Sequence, residues 1–178
     1  EAQTLFVARM PLVQIVQRTY RPPLYHIMLH FWDLVVPDNE FWLRLPSALW
    51  GAAVPPLLFA IAARAYDRRA GLTAAALAAI SPALIWYAQE LRMYSLMAIE
   101  FALLLLVAHR LVEQLYPSAS WSWPVRQMSM RSLFPGDWRL WLAIFLIQAT
   151  SLYTHYFAIP FLLWLVAIAG AAFVALRR

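Results

Sequence analysis

Residues 140 to 176 form a run of 37 positions without one charged side chain, and no other feature limits the fold so sharply. Twenty helical residues at 1.5 Å each cover about 30 Å of hydrocarbon. The run is therefore too long for one ordinary span and long enough for two. It divides near Thr154, His155 and Tyr156, its most polar stretch. Three further spans precede it. Residues 47 to 66, SALWGAAVPPLLFAIAARAY, carry one charge, Arg64, at their end. Pro55 and Pro56 would break a soluble helix, but in a bundle neighbouring helices can satisfy the freed carbonyls. Residues 70 to 89 are uncharged between Arg69 and Glu90 and rich in alanine, which lets helices approach closely in lipid. Residues 93 to 111 are interrupted only by Glu100. The expected fold is all-α, a polytopic helical membrane protein with about five transmembrane helices.

Composition agrees. Hydrophobic residues make up 63% of the chain and charged residues 13%, more apolar surface than a soluble domain of this size can hide. All fourteen basic residues are arginine and the net charge is +5. A nucleic-acid surface needs such residues on one exposed stripe. Here they fall between long uncharged runs, so the partner is membrane lipid and not nucleic acid. With no cysteine there is no disulfide framework and no sulfur-based metal site. The four glycines, at 51, 71, 136 and 170, form no phosphate-binding loop. Neither a nucleophile elbow nor a pore filter is present. Glu1 opens no signal peptide, and a chain beginning there is expected to be a piece of a longer protein.

The first 46 residues are amphipathic and form no clean span. Residues 2 to 18, AQTLFVARMPLVQIVQR, and 22 to 36, PPLYHIMLHFWDLVV, read as two interfacial helices. Aromatic side chains such as Tyr25, Phe31 and Trp32 would sit at headgroup level. Residues 1–46 are thus expected to be an outer loop, and 47–178 part of one transmembrane bundle. Residues 112 to 138, with three prolines and Trp121, Trp123 and Trp138, read as a loop with short interfacial pieces. If residues 67 to 69 are cytoplasmic, that side collects nine arginines against three acids, and the other side five against five. The positive-inside rule chooses this orientation.

Alternation of spans then brings Glu1, the His26–His30 segment, the Gln89, Glu90 and Arg92 turn and the Thr154–Tyr156 turn to one outer face. Polar residues at such turns need no function, yet their convergence makes a candidate site. Arg92 offers a permanently charged fork suited to phosphate. Tyr94, four residues after Glu90, can share a helix face with it. Glu100 lies inside a span, where a carboxyl marks either a functional role or a quiet hydrogen-bonded contact. His26 and His30 have a spacing that could hold a metal, but no HExxH pattern or third ligand accompanies them, and no metal site is expected. His155 is read either as a substrate contact or as part of a structural turn.

The strings RPPLYHIMLHFW at 21 to 32, FWLRLPSALWG at 41 to 51, SPALIWYAQELRMYSL at 81 to 96 and SLYTHYFAIP at 151 to 160 resemble the polytopic glycosyltransferases of the C-type fold. That group includes the protein O-mannosyltransferases and the lipid A aminoarabinose transferases. The resemblance implies transfer of a sugar from a polyprenyl-phosphate donor to a glycan, lipid or protein acceptor on the extracytoplasmic face of the cell membrane, usually with inversion. No cofactor is assigned from the sequence; the lipid-linked sugar is expected as the donor substrate. It also implies an Asp-Glu pair just after a first span, with Glu1 as the second member. The base would be an aspartate immediately before Glu1, and the isolated fragment would be inactive. Arg21 stands where relatives commonly have a histidine, and either meets phosphate or faces lipid headgroups.

An attacking acceptor must lose a proton to a carboxylate at about 2.6–3.2 Å, and a departing polyprenyl phosphate needs a fixed cation. Arg92 is assigned to the phosphate, Glu1 to orienting the catalytic group or acceptor, and Glu90 to holding Arg92 or binding sugar hydroxyls. Gln89, Tyr94, Arg21 and His155 complete the set of donor-binding candidates. The rival readings are a transporter or flippase-like protein for lipid-linked substrates and a noncatalytic membrane subunit.

Overall fold

A computed structural model describes residues 1–18, 22–115, 137–156, 158–160 and 162–163. Their regular structure is entirely helical: α1 (Ala2–Ala8), α2 (Leu12–Arg18), α3 (Leu24–Asp33), α4 (Glu40–Ala65), α5 (Arg68–Ala79), α6 (Pro82–Gln89), α7 (Tyr94–Leu115) and α8 (Trp138–Thr154). Among the described residues, α4 and the Tyr94–Leu111 part of α7 are long and apolar enough to cross a membrane. The bent pair α5–α6 adds a third if it acts as one span. The apolar stretch of α4 is only 11% buried within the protein, so lipid must cover its sides. The expected count of about five spans is not reached among these residues. The 17-residue α8 falls just short of a full span, and nearly all of the proposed fifth lies outside the described residues.

Proline explains most of the differences from the expected elements. The first interfacial segment is two helices, not one, because Pro11 lacks an N–H and its ring clashes with the carbonyl four residues back. The second span is broken where Pro82 forces Ser81 into extended backbone (φ −66°, ψ 116°). Pro82 then opens α6, and the two halves meet at 54°. By contrast α4 continues through Pro46, Pro55 and Pro56. It also begins before residue 47: the Asn39 side chain caps it by accepting the Trp42 N–H at 3.1 Å. The third span is found as α7, running on to Leu115. Trp138, expected in a loop, is the first residue of α8. Residues 116–136, including Trp121 and Trp123, lie outside the described residues.

Packing fixes one end of the bundle. α4 lies against α5, α6 and α7, and α7 against α8. The start of α4, the 90–93 turn between α6 and α7 and the end of α8 therefore share that end. Below it, Ala8, Tyr25, Leu29, Leu43, Leu91, Met93 and Leu96 form one buried cluster that joins α1 and α3 to the bundle. Arg9 clasps the amphipathic cover from its edge, bonding Asp33 at 2.9 and 3.0 Å and Asp38 at 2.7 Å. Trp32 Nε1 donates to the Trp42 carbonyl at 2.7 Å.

The approach of α6 to α4 is set by Gly51, where an added Cβ would lie 2.5 Å from the Ala88 Cβ. Gly51→Ala should cost about 1–3 kcal/mol, the usual range for overpacking. Ala88→Gly in the same protein should recover most of that loss. Thermal unfolding of the single and double variants checks the pair; additive losses would show that this contact does not set the spacing.

Candidate functional site

Glu1 organises the polar end of the bundle through two long-range contacts. Its Oε2 accepts from Arg44 Nη2 at 2.7 Å, and its Oε1 accepts from the Leu91 N–H at 3.1 Å. Arg44 also pairs with Glu40, one helical turn before it. One carboxylate thus ties the start of the chain to α4 and to the turn entering α7. Burial pushes the Glu1 carboxyl up, but the Leu91 N–H and the Arg44 guanidinium outweigh it and hold the group below its ordinary value of 4.5. As a carboxylate it can only accept hydrogen bonds, and each of its oxygens already has a partner. Beside it lies a cleft of about 280 Å³ whose walls include Glu1, Asp38, Glu40, Arg44 and Leu91.

The 89–94 segment presents the next layer. Glu90 Oε1 accepts from Trp86 Nε1 at 3.0 Å, and Oε2 stands 3.9 Å from Arg92 Nε. That second distance is an ion pair without a hydrogen bond, so Arg92 is held near Glu90 but its fork is not consumed by it. Gln89 is exposed at the end of α6. Tyr94 packs against Tyr87 with centroids 4.7 Å apart and the rings tilted by 48°, and its ring lies 6.4 Å from that of His155.

His155 leaves α8 in extended backbone, its N–H bonded to the Ser151 carbonyl. Just before it, the buried Thr154 hydroxyl lies 2.9 Å from Glu100 Oε1 and 2.9 Å from the Thr150 carbonyl. Glu100, 5% exposed, therefore joins α7 to α8 and fixes where the His155 backbone departs. Its second oxygen, Oε2, is buried with no hydrogen-bond partner among the described residues.

Of the residues singled out from sequence, Glu1 meets the 89–92 turn directly, and Tyr94 faces His155. Arg21 lies outside the described residues. His30 directs Nδ1 to the Ala8 carbonyl at 2.6 Å, and His26 is buried beside Tyr25. The residue that sequence reasoning missed is Arg44. Its signal was a cation inside the 41–51 string at the mouth of a spanning helix, four residues from Glu40. Tyr25, buried beneath, is pushed up to about 12 by burial, partly offset by its Ser47 contact, with the Glu1 charge adding to the rise. Glu1 thus sits within electrostatic reach of α3.

These features define a helical membrane protein whose charged mouth is built where the start of α4, the turn between α6 and α7 and the end of α8 meet. The chain matches the dolichyl-phosphate-mannose-protein mannosyltransferase family over residues 20–125, more than half of its length, and it belongs to that family. It is accordingly a membrane glycosyltransferase of the kind that draws its sugar from a polyprenyl phosphate. The match takes in Arg44, Gln89, Glu90, Arg92 and Tyr94 and stops short of Glu1 and His155. No curated protein and no solved structure matches the chain.

A depressed carboxyl contributes stability that is present above its unfolded value and lost as pH falls through its folded one. The Glu1 tether should therefore be fully present above the ordinary value of 4.5 and be lost only as pH falls further, through the lowered folded value. In Arg44→Met the part of the acid-side stability loss that comes from this pair should shrink. Unfolding midpoints at pH 6 and at about pH 3.5 compare the two proteins. Identical pH dependence would mean that Arg44 does not hold Glu1.

Proposed function

We propose that the intact protein transfers a sugar, with inversion, from a polyprenyl-phosphate donor to a hydroxyl or amine acceptor on the extracytoplasmic face of a multi-pass bundle. The acceptor atom attacks the anomeric carbon from the side opposite the phosphate, and the carbon–oxygen bond to phosphate breaks. The polyprenyl phosphate leaves with the bonding electrons, and the acceptor proton passes to a carboxylate. We assign that base to an aspartate expected immediately before Glu1. Arg92 takes the departing phosphate, where a preorganised cation is most effective as negative charge develops. Glu1, with both oxygens engaged, orients its neighbour and the acceptor. Glu90 holds Arg92 near the phosphate, and Tyr94 and His155 line the donor side.

The observation that carries this reading is the bond from the Leu91 N–H to Glu1, across 90 positions of sequence. It sets a fixed carboxylate beside the turn that bears Arg92, which supports an acceptor side next to a phosphate side. The arginine balance of the loops supports the extracytoplasmic orientation. Family membership favours chemistry over the transporter and subunit readings.

Arg92→Ala in the intact protein should lower turnover by about 10² or more, the scale of losing one transition-state donor. Transfer from dolichyl-phosphate mannose in reconstituted membranes measures it. Undiminished turnover would remove Arg92 from the phosphate site.

A further inference from the structure

Trp86 is 64% exposed on α6, and yet its one polar atom is already committed. Nε1 donates to Glu90 Oε1 at 3.0 Å. A tryptophan that serves only to anchor a helix at the membrane surface sends that N–H to water or headgroups. Here the ring is instead oriented by the same carboxylate whose other oxygen stands 3.9 Å from Arg92 Nε. An open aromatic face, a carboxylate and a guanidinium are thus joined through one side chain, with Glu90 in the middle.

We infer that Trp86 is a specificity-determining residue: its indole face receives the pyranose ring of a glycosyl phosphate, Glu90 accepts hydrogen bonds from the ring hydroxyls, and Arg92 takes the phosphate. The inference rests on the role proposed for Arg92. A pyranose has a face of C–H bonds that suits the negatively polarised face of an aromatic ring. Its hydroxyls require acceptors, and a carboxylate offers about four lone-pair sites. Trp86 occupies one of those sites on Glu90, and Arg92 makes no hydrogen bond to the others, so acceptor capacity remains next to the open ring. The phosphate of the same ligand then falls on the side of Glu90 that faces Arg92. Phosphate and sugar are read by separate side chains, so the two contributions can be separated experimentally.

Binding of dolichyl-phosphate mannose and of sugar-free dolichyl phosphate to the intact protein in lipid nanodiscs tests the assignment. Trp86→Ala should weaken binding of the mannosylated lipid about 10-fold, the scale of one lost aromatic contact, and leave the sugar-free lipid unchanged. Trp86→Phe, which keeps a ring, should recover most of that loss. Arg92→Ala should weaken both lipids. The inference is overturned if Trp86→Ala affects neither lipid, if it affects both equally as an anchoring residue would, or if the unaltered protein binds the two lipids alike. Arg92→Ala without effect on either lipid would instead overturn the phosphate assignment on which the inference rests.

Discussion

A carboxylate that must stay charged needs donors on both of its oxygens, and at the mouth of this bundle those donors come from two different places in the chain. Arg44 reaches Glu1 from the start of α4, and the Leu91 N–H reaches it from the turn before α7. Charge-assisted bonds of this kind are shorter and stronger than neutral ones, and here they join segments 43 and 90 positions apart. The apolar cluster beneath, from Ala8 through Leu91 to Leu96, keeps them in register. Without that closure the amphipathic cover formed by α1 to α3 would be held by the Arg9 clasp, the Trp32–Trp42 and Tyr25–Ser47 hydrogen bonds and its apolar contacts. The clasp lies at the surface, where ion pairs contribute little.

From this tether the polar groups follow in sequence order along the turn. Leu91 is bonded to Glu1, Glu90 and Arg92 flank it, and Tyr94 opens α7 facing His155. Glu100 and Thr154 close the same pair of helices from within the bundle. A buried carboxyl in a membrane helix is costly unless it is bonded. Its service here is to fix how α8 ends, which carries the consequence of an intramembrane contact up to the mouth.

Much of the helical layout is legible in the sequence, because charge-free runs are direct signals of depth in lipid. The third span and the end of a helix at Thr154 are read correctly since each is bounded by polar residues. What escapes is local backbone chemistry inside uncharged runs. Residues 70 to 89 look continuous by hydropathy, yet Pro82 restricts Ser81 and breaks the helix. The start of α4 escapes for the opposite reason. Asn39 and Glu40 carry the signature of a helix N-terminus, but the polarity of that region reads as interfacial. The site is legible to the extent that topology gathers the ends of alternating spans. Arg44 is legible only as a cation at the mouth of a spanning helix, since nothing local points to a carboxylate 43 positions away as its partner. The role of Trp86 is hidden likewise, because an exposed tryptophan near a span end has an ordinary explanation until its N–H is seen to be engaged.

The bond between Glu1 and the Leu91 amide is the most direct point at which the account can be tried. Amide hydrogen exchange at Leu91, measured by NMR on the intact protein with ¹⁵N-leucine, reports on it alone. A protected Leu91 amide is expected, with exchange that accelerates in Glu1→Ala, while leucines in the middle of α7 such as Leu104 keep their rates. Equal Leu91 exchange in the two proteins would contradict it.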